Sequence, residues 1–231
     1  MGLELSTLRA FSDELRKLAH EVTDDLEAVH KQMKAGDILV TTPRKEFYDA
    51  QDRITRLRMR ALRWFQGTPY THTSMYGGDG KILEIGTWHR GGERKSSVTS
   101  APIEQWAKRY NFRVLRVDAT PKERQEAVEF MHSQKGKPYD YGTTARLMLP
   151  VSEVDPKVRA QEYENKETRE PKKVICSQLV AAAYPNQHFS KRRPLRFVRP
   201  VDIQKSPLTS IVMEYRGGEA ALVKEKQKQA G

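Results

Sequence analysis

The chain has 231 residues, 37% hydrophobic and 31% charged, enough for one core with solvated helices or tails but cramped for two full domains. Lysine and arginine outnumber aspartate and glutamate by 41 to 30, and the formal charge of +11 favours polyanions such as nucleic acid, anionic lipid or acidic cell-wall polymer without choosing among them. The single cysteine excludes an internal disulfide framework and a cysteine-based structural zinc site, no cofactor or metal is called for, and no run reaches the roughly 20 apolar residues of a transmembrane segment.

Residues 3–34 carry Leu5, Leu8, Leu15, Leu18, Val22, Leu26, Val29 and Met33 at spacings of three, four and seven, which predicts one amphipathic helix over 1–35, ended by Gly36. Its other face alternates acidic and basic side chains, so it reads as an appended element for self-association or for docking on a partner. This start lacks the apolar core of a secretory signal, and the chain is expected to be made and first held in a cytoplasm.

Gly36 and Asp37 precede a short β-prone run, read as a first strand, and a second helix is expected over 45–65. That helix sets Arg53, Arg56, Arg60 and Arg63 among Ile54, Leu57, Leu62, Trp64 and Phe65. One side is expected to pack; the arginine side is either solvated or a site for an anionic polymer or nucleic acid.

The runs YTHTSMY and KILEIG around GGDG predict a β-hairpin. A polar loop with Gly91 and Gly92, a short helix in APIEQWAKRY, a strand in FRVLRVD and a helix begun by Pro121 follow. Residues 150–173 are charged and nearly free of large apolar side chains, which predicts an exposed insertion loop. VICSQLVAAAY then reads as a buried strand end entering an apolar helix, with a last strand near 211–215 and a polar tail over 217–231. The domain is expected to span 36–216.

Cys176 falls where the apolar run takes up helical spacing. Unpaired amides and the dipole at a helix start favour a thiolate, and an imidazolium neighbour favours it further. The alternative is a small hydrophobe in an Ile-, Val- and Ala-rich helix. His72 stands in a strand between Thr71 and Thr73, where a β-branched or aromatic residue is the default, so it is either functional or a satisfied core histidine. Glu84 interrupts the second strand of the hairpin and either joins His72 or faces solvent. A three-residue GGD loop pairs Tyr76 with Gly80 and sets His72 opposite Glu84 on one face, whereas a two- or four-residue loop separates them.

Several motifs occur in a fixed order: Gly36-Asp37-Ile38-Leu39; His72 and Tyr76 before a glycine-rich turn and Glu84; Gly136, Tyr139 and Asp140; Cys176-Ser177; and Pro200, Asp202 and Ile203. In that order the chain resembles the circularly permuted branch of the NlpC-type papain-like superfamily, which includes YiiX-like proteins and lecithin:retinol acyltransferase-like enzymes. The resemblance covers roughly 36–212 and implies an α+β, permuted papain-like fold with an antiparallel sheet packed on helices.

It further implies a cysteine peptidase or amidase, with Cys176 as nucleophile, His72 as base and Glu84 as the third group. Tyr139, Asp37 and Ser177 are candidates to line or brace the site, with fold-determining roles equally open. The substrates implied are a peptidoglycan peptide, another peptide or isopeptide, or a lipid ester, the last for an acyltransferase or thioesterase. A cell-wall hydrolase without a signal would act after lysis or from a phage particle. The rival from another class is a non-catalytic papain-like binding or virion structural module that contacts nucleic acid or an anionic surface.

Overall fold

A computed structural model of the chain describes residues 21–51, 53–90, 93–147 and 155–217. The first elements are β1 (Glu21–Thr23), α1 (Leu26–Gln32), β2 (Ile38–Pro43), α2 (Lys45–Asp49) and α3 (Arg53–Gln66). A meander of β3 (His72–Gly78), β4 (Lys81–Arg90) and β5 (Glu93–Pro102) follows, then α4 (Ile103–Ala107), β6 (Tyr110–Val117) and α5 (Pro121–Ser133). The last part holds α6 (Tyr141–Arg146), α7 (Pro156–Glu164), α8 (Lys166–Arg169), α9 (Cys176–Ala182), a 3₁₀ turn (Leu195–Phe197), α10 (Pro200–Gln204) and β7 (Thr209–Tyr215).

The strands make one sheet in the order β1-β7-β6-β2-β3-β4-β5, antiparallel at every pairing except the parallel β1–β7 edge. Strand alternation sends apolar side chains to both faces. Ile38, Val40, Met75, Leu83, Ile85 and Leu115 pack with Val128 and Met131 of α5 and Leu179 and Val180 of α9. Leu39, Tyr76, Ile82, Phe112, Val114 and Met213 pack with Val29 and Met33 of the α1 region and Ile103 and Trp106 of α4. The expected α+β class, a mainly antiparallel sheet covered by helices, is what forms.

Five local expectations are corrected. The single helix over 1–35 does not form across its described part. Glu21–Thr23 pairs with β7, and Asp25 then caps α1 by accepting from the Glu27 and Ala28 amides at 2.9 and 3.1 Å. Asp25 thus marks a helix start within the stretch read as one helix, because a short acidic side chain accepts from free amides. Residues 1–20 and the tail beyond 217 lie outside the described residues. The helix over 45–65 is two, α2 and α3. The polar stretch after Gly92 is strand β5, paired along its length with β4.

The insertion over 150–173, within its described part, is helical rather than a loop. Asp155 accepts from the Lys157 amide at 2.7 Å and Asn165 from the Glu167 amide at 2.8 Å, capping α7 and α8. Tyr163, fully buried, packs on the His188 ring at 4.5 Å, and Arg169 reaches the carbonyl of Ala182 at 3.2 Å, closing the C-terminal end of α9. The segment therefore clamps the cysteine helix.

The fifth correction concerns α3, whose amphipathic sides are reversed. Arg63 donates to Thr42 Oγ1 at 3.0 Å and lies over the Tyr48 ring, Arg60 donates to Tyr48 Oη at 3.1 Å, and Arg56 to the Asp49 carbonyl at 2.9 Å. Arg56, Arg60 and Arg63 tie the helix to α2 and β2, and Leu57, Trp64 and Phe65 face out.

Candidate active site

Cys176 is the first residue of α9 and follows Ile175, whose extended backbone gives the helix no side-chain cap. The first-turn amides of α9 are therefore without intrahelical partners, as at every helix start. Two backbone bonds hold the approach to the cysteine: Asp140 N–H to the Val174 carbonyl at 2.9 Å and Val174 N–H to the Pro138 carbonyl at 3.1 Å. They also bring Tyr139 alongside. The cysteine is 5% exposed.

His72 is the first residue of β3, opposite Thr41 of β2. Its Nε2 lies 2.9 Å from Glu84 Oε2, with the glutamate side chain fully buried and the imidazole 18% exposed. With Nε2 engaged by the carboxylate, Nδ1 is the nitrogen left for the Cys176 thiol, a hydrogen-bonding partner of the ring. The Tyr110 ring stacks on the imidazole at 6.2 Å and 26°.

The hairpin reaches this geometry by a different count from the one expected. Gly78 pairs with Lys81, leaving a two-residue turn of Asp79 and Gly80, both at positive φ (49° and 69°), as an Asp-Gly type I′ turn requires. Such a turn alone would set His72 and Glu84 on opposite faces. Between Gly78 and Tyr76, which pairs with Ile82, the extra residue Gly77 forms a bulge. The bulge restores the parity, so the ladder runs Met75 to Leu83 and places Glu84 across from Ser74, diagonal to His72 on the same face.

Burial alone would push the Cys176 thiol up and the imidazolium down. The charge of each on the other and the hydrogen bond between them prevail: the thiol is lowered to about 7 and His72 raised to about 10. Thr73, whose amide and hydroxyl face the sulfur, stabilises the thiolate further, and Glu84 does the same for the imidazolium. Between these values the resting pair is a thiolate and an imidazolium.

Tyr139 also reaches the sulfur. Burial and the cysteine's charge push its phenol up, so it keeps its proton, and Thr144 Oγ1 lies 3.2 Å from the phenol oxygen. The hydroxyl proton of Tyr139 is thereby directed at the thiolate. Tyr110 and Thr73 are site residues that sequence reasoning missed. Thr73 had a signal, its place next to His72; Tyr110 had none, because only the β2–β6 pairing brings it to the ring.

Other candidates are placed elsewhere. Asp37 is buried at the far end of β2, held by Arg116 at 2.7 and 3.0 Å and by the Lys34 amide at 2.8 Å, so it locks the strand entry and does not brace the cysteine. Ser177 is buried and donates to the Val198 carbonyl at 2.6 Å, anchoring α9 to the residue after the 3₁₀ turn. Arg56, Arg60 and Arg63 are occupied in tethering α3, and of the polyanion candidates Arg53 alone is not seen in such a tether among the described contacts.

No family model matches the chain, and no curated protein matches it. Among solved structures the chain is similar to the crystal structure of metalloprotein yiiX from Escherichia coli O157:H7, at 17% identity and a TM-score of 0.45, over 80% of this chain and 99% of that one. Among the described residues no group of three or more His, Cys, Asp or Glu side chains is placed to hold an ion. No helix among them is long and apolar enough to cross a membrane.

Proposed function

We propose that the chain is a thiol-dependent hydrolase that cleaves an amide bond through an acyl-enzyme, with Cys176 as nucleophile, His72 as proton carrier and Glu84 as the group that orients the ring. One observation carries the reading: a part-buried imidazole that holds a carboxylate at 2.9 Å on one side and faces the charge of a helix-start thiol on the other. A structural cysteine needs neither partner.

The thiolate attacks the carbonyl carbon, and the negative charge moves to the carbonyl oxygen, for which the Cys176 backbone N–H is the donor at hand. The imidazolium gives its proton to the leaving amine as the C–N bond breaks, which leaves a thioester and a neutral His72. Water then loses a proton to His72 as it attacks the thioester, the acid departs, and the thiolate–imidazolium pair is restored. Glu84 fixes the ring in both half-reactions. Tyr139 donates to the sulfur and so steadies the charge that returns to it.

Peptidoglycan peptide and other peptide or isopeptide bonds are the substrate class we favour, in keeping with the basic surface. The test is intact-mass analysis of the full chain with an activated thioester. The expected result is an acyl adduct on Cys176 that forms and decays, is absent in Cys176→Ala, and forms slowly in His72→Ala. A wild-type chain that forms no adduct, or one at equal rate without His72, overturns the proposal. Amide, isopeptide and lipid-ester panels then rank the natural bond.

A further inference from the structure

The mechanism leaves one large feature unused. Of the five large hydrophobic side chains exposed among the described residues, three stand on α3: Leu57 at 67%, Trp64 at 77% and Phe65 at 48%. With Ala61 they follow the i, i+4, i+7, i+8 spacing of one helix face. Because Arg63 binds the far side of the helix to β2, and Arg56 and Arg60 bind α2, this stripe is held outward.

The stripe is continuous with a basic cavity. Phe65 lines both, and the cavity, about 660 Å³, sets Arg193, Arg199 and Lys205 among Phe189, Val201 and Pro207. Its one carboxylate, Asp202, is shared: Arg199 binds it at 2.9 Å and Arg193 approaches at 3.7 Å. Arg193 Nη1 is buried without a hydrogen-bond partner. Burial and the charge of Arg199 push the Arg193 guanidinium down, against the pull of Asp202, so one carboxylate answers two guanidiniums there.

We propose that α3 lies on an anionic phospholipid surface, with Leu57, Trp64 and Phe65 entering the acyl boundary and the adjoining cavity receiving a lipid phosphate. An apolar stripe joined to two guanidiniums that share one carboxylate matches a molecule with acyl chains joined to a phosphate, and the outward aromatic pair is suited to the bilayer interface. A second copy packed on the same face would bring two basic cavities together, which opposes a dimer there. Trp64 and Phe65 stack edge-on against each other at 4.7 Å and 78°, an arrangement that buries one ring edge and leaves no pair of parallel platforms for nucleic-acid bases.

The experiment is vesicle co-sedimentation of the full chain with neutral phosphatidylcholine and with vesicles in which roughly a third of the lipid is phosphatidylglycerol. The expected result is binding to the anionic vesicles that is about 10-fold stronger than to neutral ones and weakens with salt. Leu57→Ser with Trp64→Ser, at exposed positions that leave folding intact, lowers it about 10-fold, and Arg193→Gln with Lys205→Gln removes most of the anionic preference. Circular dichroism checks that each variant is folded, and Lys205→Gln alone, at an exposed position, keeps the cavity arm readable if Arg193→Gln is not. Vesicle binding unchanged by the α3 substitutions places the contact elsewhere, such as residues 1–20, and overturns the proposal. So does absence of vesicle binding, whether α3 instead mediates dimerisation or retention on single-stranded DNA.

Discussion

In the cleft, Glu84 is withdrawn from water to 1% exposure and meets His72; on α3, Trp64 is left 77% exposed while Arg63 on the other side is drawn against Thr42 and Tyr48. Both regions invert the usual partition of polar and apolar groups. They differ in what answers the inversion. The buried carboxylate and thiol are both answered by the imidazole between them, so part of the cost of removing them from water is offset where it arises. The exposed stripe of α3 has no answering surface among the described residues. An inversion matched internally marks chemistry performed by the chain, and one left unmatched marks contact with something outside it.

The strongest way to break this comparison is at the thiol. Cys176→Ser is expected to lower turnover of an activated ester or thioester by about 1,000-fold or more, measured against a chain whose circular dichroism is unchanged. His72→Ala comes next. In wild type the pH midpoint of iodoacetamide labelling should lie at about 7, and in the variant it should move up toward the ordinary thiol range, with labelling at neutral pH slower by about 10-fold. A midpoint indifferent to His72 would mean that the two groups share a core without sharing a proton. Glu84→Gln, which keeps the shape but removes the charge, should raise the same midpoint less and slow labelling about 3-fold.

Stability offers two smaller tests. His72 is raised, so its contribution is present at low pH and is lost as pH rises through about 10; Cys176 is lowered, so its contribution is present at high pH and is lost as pH falls through about 7. The difference in urea midpoint between wild type and Cys176→Ala should therefore peak between these values, and a flat difference would remove the ion pair. On α3 the ordinary order of costs should reverse. Arg63→Ala is expected to destabilise by about 1 kcal/mol through the lost bond to Thr42 and the lost ring contact. Trp64→Ala should change stability by less than about 0.5 kcal/mol. A larger loss at Trp64 than at Arg63 would mean that the stripe packs against the chain after all.

What was legible in the sequence was mostly what local rules decide. The start of α9 at Cys176 follows from an extended residue passing into an apolar helical run, and the hairpin, though not its register, from GGDG between alternating strands. Helix α5 begins at Pro121, as its sequence reads, and in the structure Thr120 and Glu123 close its start with a capping box. What escaped was decided by distant partners. Asp37 resembles a bracing carboxylate until Arg116, from another strand, is found on it, and Ser177 resembles a cleft residue until Val198 takes its hydroxyl. Periodicity announced two sides to α3 but not which would face inward, since that depends on Tyr48 and Thr42, outside the helix. Strand β5 was hidden by its polarity: an edge strand needs little apolar content.

The bulge at Gly77 has a further consequence. A Cβ at that position would approach the Leu83 side chain to 3.1 Å, and Gly78 beside it has φ 84°, so both positions favour residues without a side chain. The hairpin thus works as a parity device, in which the bulge and the turn together supply an even offset. Losing or gaining one residue between Tyr76 and Lys81 would turn Glu84 toward the opposite layer of the fold and exchange Ile82 and Leu83 between the two cores, whereas a change of two would preserve all three. Length variation in this hairpin is therefore expected to come in pairs, and a loop graft that respects the pairing should keep the carboxylate on the histidine whatever residues it carries.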